Sequence, residues 1–422
     1  MESVRDCATV GNMQDRDLYA RILGIEEPWV VEEVGLSLAE GEVVVRVRHS
    51  GRGLCCPECS VSYETRYDTR ERRWRHLDTC QYRTILIAQV PRVRCKTHGT
   101  RQISVPWAES GSRFTALFEA LVIDWLKEAS IKSVARQMGL TWDQVSGIME
   151  RAVSRGLARR EVELPTHIGV DETSFQKRHE YVTVVSRPDG AVVHVADGHG
   201  KAALDEFYGQ FSTEELRSLE VVAMDMWNPY IQSTMENVPG ASEKIAFDKF
   251  HVAKHLSDAV NKVRHEENRE LTQRGDGRLK GSRYKWLMNP NNMDEEVWRE
   301  FAALRESSLR TARAWAYKEA AMMLWDYQSV AWTRKVWQRW YRSAIRSRLK
   351  PMKKVARMVK SHLDGIVTAV VKRATNARAE GINSVIQGIK YRARGYRNRV
   401  RFRNAIYFHL GKLDLYPETL RA

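Results

Sequence analysis

Long apolar runs are missing from this sequence. Nowhere does it approach the ~18 uninterrupted apolar residues that a bilayer span requires. Residues 1–24 are dotted with Asp, Glu and Arg, where a secretory leader would carry an apolar core. The expectation is a cytoplasmic protein. Cysteine is scarce and uneven, with six in 422 residues and four of them between positions 55 and 80. That excludes a disulfide framework and makes metal ligation the better use of the thiols. Acid is nearly missing from one long tract, 331–410, which holds 21 Lys and Arg against Asp364 and Glu380 alone. Internal repeats and low-complexity linkers are missing too.

What is present is apolar and basic. With 43% apolar residues and 13 Trp, the chain has far too much hydrophobic material to be disordered, and its length suggests two to four domains. Its net charge of +15 comes from the acid-poor tract, the remainder being slightly acidic. Such segregation is the footprint of a protein that neutralises phosphates. Arg392, Arg394, Arg397 and Arg399 interleave with Tyr391 and Tyr396, a mixture suited to backbone contact and stacking on nucleic acid. No amphipathic anchor accompanies them, so a membrane partner is not expected.

Alternation over 29–49 and a second strand-like run at 82–90 indicate a β-rich start. Helical spacing of Phe114, Leu117, Phe118, Leu121, Val122 and Trp125 continues as helix to about residue 160. Short β-rich runs at 168–170, 181–186, 191–196, 221–224 and 245–247, with a helix over 202–211, then predict an α/β domain. From 251 to about 363 the pattern is helical and holds seven of the Trp residues.

Three constellations carry chemistry. Cys56-Pro57-Glu58-Cys59 and Cys95-Lys96-Thr97-His98 are two short-turn pairs that suit one tetrahedral Zn²⁺, with Cys55 an alternative to Cys56. Cys7 and Cys80 read as ordinary small residues. A redox role is disfavoured because no thioredoxin-like βαβ pattern surrounds the pair. Residues 133–145 read as a helix-turn-helix: Ala135 where the helices touch, Gly139 at the turn, Val145 in the core, Thr141 capping the second helix and Gln144 at its start, facing a major groove. Trp142 is expected to pack. Asp171 ends the first strand of the α/β domain and Asp225 the fourth; aligned parallel neighbours would bring them to one rim, where a divalent cation removes their repulsion. Glu380 stands alone among cations after a cap at Asn376, on one helix face with Asn383 and Gln387. It is the candidate third acid.

The order of strand acid, hairpin, helix, second strand acid, long helical segment and helix-borne Glu resembles the DDE transposases, and its details are similar to the insertion-sequence ISL-three family. The matching segments are Gly169-Val170-Asp171-Glu172, the run 224–230 that begins Met224-Asp225-Met226-Trp227, Phe247-Asp248-Lys249-Phe250-His251-Val252, and 376–402 around Glu380, together with the knuckles and the helix-turn-helix. The resemblance implies a multidomain α/β protein: a zinc-binding β-rich module at 1–108, a helix-turn-helix domain at 109–163, an RNase-H-like catalytic domain at 164–256 and 366–422 with a basic tail, and an all-helical Trp-rich insertion at 257–365. It further implies that Asp171, Asp225 and Glu380 hold two Mg²⁺ ions roughly 3.5 to 4 Å apart for in-line phosphodiester chemistry. The implied partners are double-stranded DNA, both terminal inverted repeats and target, and a second copy of the chain, in a prokaryotic cytoplasm at the nucleoid. Asp248 and His251 are left out of the catalytic set. Two other readings compete: a non-catalytic sequence-specific regulator, and a tyrosine recombinase using Tyr396 or Tyr407 near His409.

Overall fold

The structure, a computed structural model, describes residues 14–51, 53–176, 180–307, 309–374 and 377–420, with side chains of the last segment from Gly381 onward. Cys7, Asn376 and the Glu380 side chain therefore lie outside the described residues. Two compact units divide the chain, the first made of residues up to 160 together with 413–420, the second of 161–412.

Alternation builds the sheet of the first unit. Helix α1 (Asp15–Leu23) precedes β1 (Trp29–Ser37) and β2 (Glu42–His49), an antiparallel pair. Val43, Val45 and Val47 are buried in turn, as a half-buried strand requires. A small ladder follows, β3 (Leu54–Cys55) with β4 (Ser62–Tyr63), then β5 (Asp68–Arg75), β6 (Arg83–Cys95) and β7 (Gly99–Gln102). Strand β6 is the spine: it runs parallel to β2 and antiparallel to β5, and its far end turns back as a hairpin with β7. Strand β5 is invisible to hydrophobic pattern, because among its residues only Trp74 is buried; its ladder to β6 holds an otherwise polar run extended.

Three capped helices complete this unit. In α2 (Ala116–Glu128), α3 (Ile131–Met138) and α4 (Trp142–Arg159) the side chains of Thr115, Ser130 and Thr141 each accept a first-turn backbone N–H. Gly139, at φ +63°, ends α3 in the left-handed conformation that a side chain would strain. Leu413 packs so closely on α4 that a Cβ on Gly156 would lie 2.6 Å from its own Cβ. Arg155 and Arg159 donate to the carbonyls of Leu415 and Tyr416.

In the second unit five strands appear where the β-rich runs predicted them: β8 (His167–Gln176), β9 (Glu180–Ser186), β10 (Val192–Asp197), β11 (Val221–Met224) and β12 (Ile245–Phe247). Their order is β10-β9-β8-β11-β12, antiparallel through β10, β9 and β8 and parallel through β8, β11 and β12. Helices α5 (Lys201–Tyr208), α6 (Thr213–Arg217) and α7 (Asn228–Asn237) connect them. Then come α8 (Lys249–Gln273), α9 (Arg283–Leu287), α10 (Glu295–Glu306), α11 (Arg310–Met323), α12 (Val330–Ala344), α13 (Lys350–Ser361) and α14 (Leu363–Val371), followed by α15 (Ala377–Ala393) and α16 (Arg399–Leu410).

Both faces of this sheet are covered. On one, Ile168, Val170, Val222 and Met224 pack with Phe207, Tyr230, Val252 and Leu256, and the same apolar core continues through Trp286, Phe301, Trp315, Trp337 and Trp340 to Ile366. The Trp-rich helices thus share a core with the sheet. On the other face Phe175, Val182 and Val184 meet Ile382 and Ile386 of α15 and Phe402 and Ile406 of α16. Helix α14 approaches β12 so closely that a Cβ on Gly365 would lie 2.4 Å from the Phe247 ring.

Candidate functional site

Two turns bring the zinc-knuckle residues together. Cys56 follows β3 and Cys59 sits in the turn before β4, while Cys95 ends β6 and His98 stands in the hairpin before Gly99, whose φ of +69° closes the turn. Their ligand atoms all lie within 4.8 Å of one another. The Cys59 and Cys95 sulfurs are 3.7 Å apart, and His98 Nδ1 lies 3.6 Å from Cys95 Sγ and 3.8 Å from Cys56 Sγ. Zn–S bonds of about 2.3 Å in a tetrahedron put sulfurs roughly 3.8 Å apart, so the spacing suits one structural zinc ion. The Tyr63 hydroxyl and the backbone N–H groups of His98 and Thr97 bring the Cys95 thiol down to about 5, favouring thiolate. Glu58 reaches His98 Nε2 at 3.5 Å and Arg101 Nε at 2.5 Å, which orients the imidazole. The exposed Cys55 lies outside the cluster and Cys56 inside it.

Strand register assembles the second cluster. Ala223 pairs with Gly169 in the parallel ladder of β11 and β8, so two residues further on Asp225 comes level with Asp171. Asp171 does not end its strand as expected but lies midway along β8, because the antiparallel ladder to β9 carries the strand on to Gln176. Met224 pairs with Phe247, which sets Asp248 at the same level on the other side. Asp171 Oδ1 accepts from Glu172 N at 2.8 Å and Asp225 Oδ1 from Trp227 N at 3.0 Å. Helix α15 lies over β8 with one face: Asn383 Nδ2 donates to Asp171 Oδ2 at 2.7 Å, Gln387 Nε2 to Thr173 Oγ1 at 3.0 Å, and Lys390 Nζ to the Ser174 carbonyl at 2.5 Å. Glu380 is in the same helix, one turn before Asn383.

The rim is electrostatically loaded. Burial raises the Asp225 carboxyl above its ordinary range, against the pull of His251, the Trp227 N–H and His255. Burial and the charges of Asp225 and Asp171 push Glu172 up to about 7, and its Oε2 is buried with no hydrogen-bond partner. Asp248 caps α8 by accepting from Phe250 N at 3.2 Å, yet its Oδ2 is likewise buried and unpartnered. Sequence reasoning gave Glu172 no role of its own and left Asp248 out of the catalytic set. Glu172 adjoins Asp171 but alternates to the other face, near Tyr230, and Asp248 is level with Asp225 only through strand register.

The remaining candidates are distributed over both units. In the first, Thr141 and Gln144 form a capping box: Gln144 N donates to Thr141 Oγ1 at 3.2 Å and Thr141 N to Gln144 Oε1 at 2.8 Å. Ala135 and Val145 are buried as the helix-turn-helix reading requires. Trp142, expected to pack, is instead 38% exposed, because the buried run of α4 begins only at Val145. In the second unit Arg392, Arg394, Arg397 and Arg399 are exposed around the end of α15, with Arg399 paired to Glu180 at 3.2 Å. Tyr396 is pushed up to about 12 by burial, and the Tyr407 hydroxyl accepts from Val195 N at 2.9 Å. Among the described residues no helix is long and apolar enough to cross a membrane.

Comparison with known proteins agrees with this layout. A family model described as transposase matches residues 168–406, that of the helix-turn-helix domain of transposase family ISL3 matches 103–153, and that of the zinc finger of transposases IS204, IS1001, IS1096 and IS1165 matches 52–98. The transposase for insertion sequence element IS1001 of Bordetella parapertussis is 26% identical over 384 residues, 90% of this chain and 93% of that protein. The transposase for insertion sequence element IS1557 of Mycobacterium tuberculosis, in strains CDC 1551 / Oshkosh and ATCC 25618 / H37Rv, is 27% identical over 420 residues, 92% of this chain and 93% of the relative. A zinc-finger module, a helix-turn-helix and a transposase domain thus follow one another in order, and the chain belongs to the ISL3 family of transposases.

Proposed function

We propose that the protein binds the terminal inverted repeats of its insertion sequence, cleaves the element's ends by metal-dependent phosphodiester hydrolysis, and joins the freed 3′-OH ends to target DNA by transesterification. The observation that carries this reading is the register that sets Asp171, midway along β8, level with Asp225, just past the end of the adjacent parallel β11, beside the helix that carries Glu380. The strand order and the covering of both faces support an RNase-H-like catalytic domain, with 257–365 as its helical insertion.

The donor set fits a hard divalent cation. Asp225 raised by burial, and Glu172 raised by burial and by the charges of Asp225 and Asp171 with an oxygen left buried and unpartnered, are relieved by positive charge. Asp171, Asp225 and Glu380 would hold two Mg²⁺, which supply Lewis-acid stabilisation of the attacking and leaving oxygens. The chain's own residues do the positioning: Asn383 fixes the Asp171 carboxylate and the Trp227 N–H fixes that of Asp225. No protein nucleophile is needed, which accords with Tyr396 held protonated by burial and Tyr407 engaged by backbone.

DNA is engaged at two further places in this reading. Thr141 and Gln144 start the helix that enters a major groove. Arg392, Arg394, Arg397 and Arg399 contact phosphates, so their replacement should weaken binding to all sequences and flatten its salt dependence. A structural Zn²⁺ on Cys56, Cys59, Cys95 and His98 holds the N-terminal module, and a homodimer brings two ends together. The test is nicking and strand joining on DNA bearing the element's terminal repeats, with Mg²⁺ and with chelator. Metal-dependent cleavage is expected; specific binding without cleavage would overturn the enzyme reading and leave a DNA-binding regulator.

A further inference from the structure

Helices α12 and α13 show a charge pattern that the catalytic reading leaves unused. Residues 330–361 contain 11 Lys and Arg and no Asp or Glu. Lys335, Arg339 and Arg342 along α12 and Arg346 in the turn that follows it recur at the spacing of one helix face, and all four are exposed. On α13 the exposed cations are Lys350, Lys354, Arg357 and Lys360. The opposite faces are apolar and buried, Trp337, Trp340 and Ala344 on α12 and Met352, Val355 and Val359 on α13. Both rows of charge therefore stand on helices fixed to the core.

A solvated helix face does not explain them. Surface helices gain from acids and bases placed at i,i+4, as α10 places Glu295 and Arg299. Here Lys335 with Arg339 on α12 and Lys350 with Lys354 on α13 are like-charged i,i+4 pairs, which weaken a helix. Among the described residues only Arg334 of this tract has an ion-pair partner, Asp364 at 2.6 Å. A groove of about 390 Å³ between the helices is flanked by Arg342 and Lys360, and Lys360 Nζ sits 5.3 Å from the Tyr341 ring centre.

We propose that the α12–α13 surface is a second tract for the phosphate backbone of duplex DNA, separate from the carboxylate rim and from the arginines after α15. The row from Lys335 to Arg346 covers roughly 16 Å along the helix axis. At about 3.4 Å per phosphate along one strand, that matches roughly five base steps. Recognition is by charge alone, so this tract contributes affinity and register, with no sequence preference.

The inference rests on the reading that the protein acts on duplex DNA, and one experiment separates the two. The full chain and its R339Q/R342Q/K354Q/R357Q variant are titrated with a labelled duplex carrying the terminal repeat and with a scrambled duplex, across a salt series. The variant is expected to bind both duplexes at least about tenfold more weakly and to show a shallower salt slope, by ~0.9 for each phosphate that is no longer neutralised. An R339K/R342K/R357K variant should keep the wild-type slope. Wild-type slope in the quadruple variant, with an unchanged melting temperature, overturns this inference alone. Failure of the wild-type chain to bind either duplex overturns the DNA reading beneath it.

Discussion

The knuckle cluster and the carboxylate rim both gather groups that repel one another, and they reach that state by different routes. Each pair of zinc ligands comes from one tight turn, so local chain geometry delivers four donors within 4.8 Å. The rim depends on the register of three parallel strands and on a helix that arrives much later in the chain. The first arrangement is close to complete in its turns, whereas the second exists only when the whole sheet has folded. Their expected failures therefore differ: losing metal from the knuckles should cost structure, and losing a carboxylate from the rim should cost chemistry.

Zinc removal is the sharpest way to break that contrast. Structural zinc contributes on the order of 10 kcal/mol to small modules. Cys59→Ser or a strong chelator should therefore unfold the region around 50–105, read as loss of its protection in hydrogen exchange, while the α/β unit keeps its own protection. Metal analysis of the intact protein should give one zinc per chain. A metal-free protein with this region still protected would show that the hydrophobic core around Trp29, Trp74 and Trp107 suffices.

At the rim the expected loss is catalytic. Asp171→Asn and Asp225→Asn should each lower end cleavage by at least ~10³-fold, about 4 kcal/mol of transition-state stabilisation. Thermal stability should be unchanged or higher, because each substitution removes one of the charges that raise Glu172. A variant that unfolds instead would place the rim in the same class as the knuckles.

A smaller difference is expected in pH response, where the units should behave alike. Burial lowers His76 in the first unit to about 4, and burial with the nearby Arg392 lowers His409 in the second to about 4. Both are neutral when folded at pH 7, and an unfolded imidazole takes its proton near 6.5. Unfolding thus takes up protons between those values, so the stabilisation is complete above pH 6.5 and is lost as pH falls toward 4. The His409→Gln variant should flatten the fall in melting temperature over that window, by at most about 3 kcal/mol. An unaltered slope would mean that His409 is solvated.

How much of this was legible depends on the range of the forces involved. Strands β11 and β12 were readable to the residue because each is a short, wholly buried run, and the knuckles because their geometry is local. Strand β5 was not, since its conformation is imposed by β6. The spacing of Asn383 and Gln387 disclosed a common helix face, but that this face lies on Thr173 and Asp171 is tertiary information. Asp248 was set aside for the same reason: only the pairing of Met224 with Phe247 sets it level with Asp225. The Trp residues announced a helical core without announcing that the sheet shares it.

The finest test of the comparison is Asn383. Its amide bridges α15 to Asp171 at 2.7 Å, and it also donates to the Glu172 carbonyl at 3.3 Å. If the rim is assembled by register and only aligned by this bond, Asn383→Ala should slow cleavage by roughly tenfold, near the ~1–2 kcal/mol of a hydrogen bond to a charged group. DNA affinity and melting temperature should hold, because Gln387 and Lys390 still fasten the helix to β8. Asn383→Asp retains the size but turns a donor into another anion, so it should be the worse of the two, and extra Mg²⁺ should recover part of its loss. Equal defects in the two variants, insensitive to metal, would mean that Asn383 fixes the helix and does not orient the carboxylate.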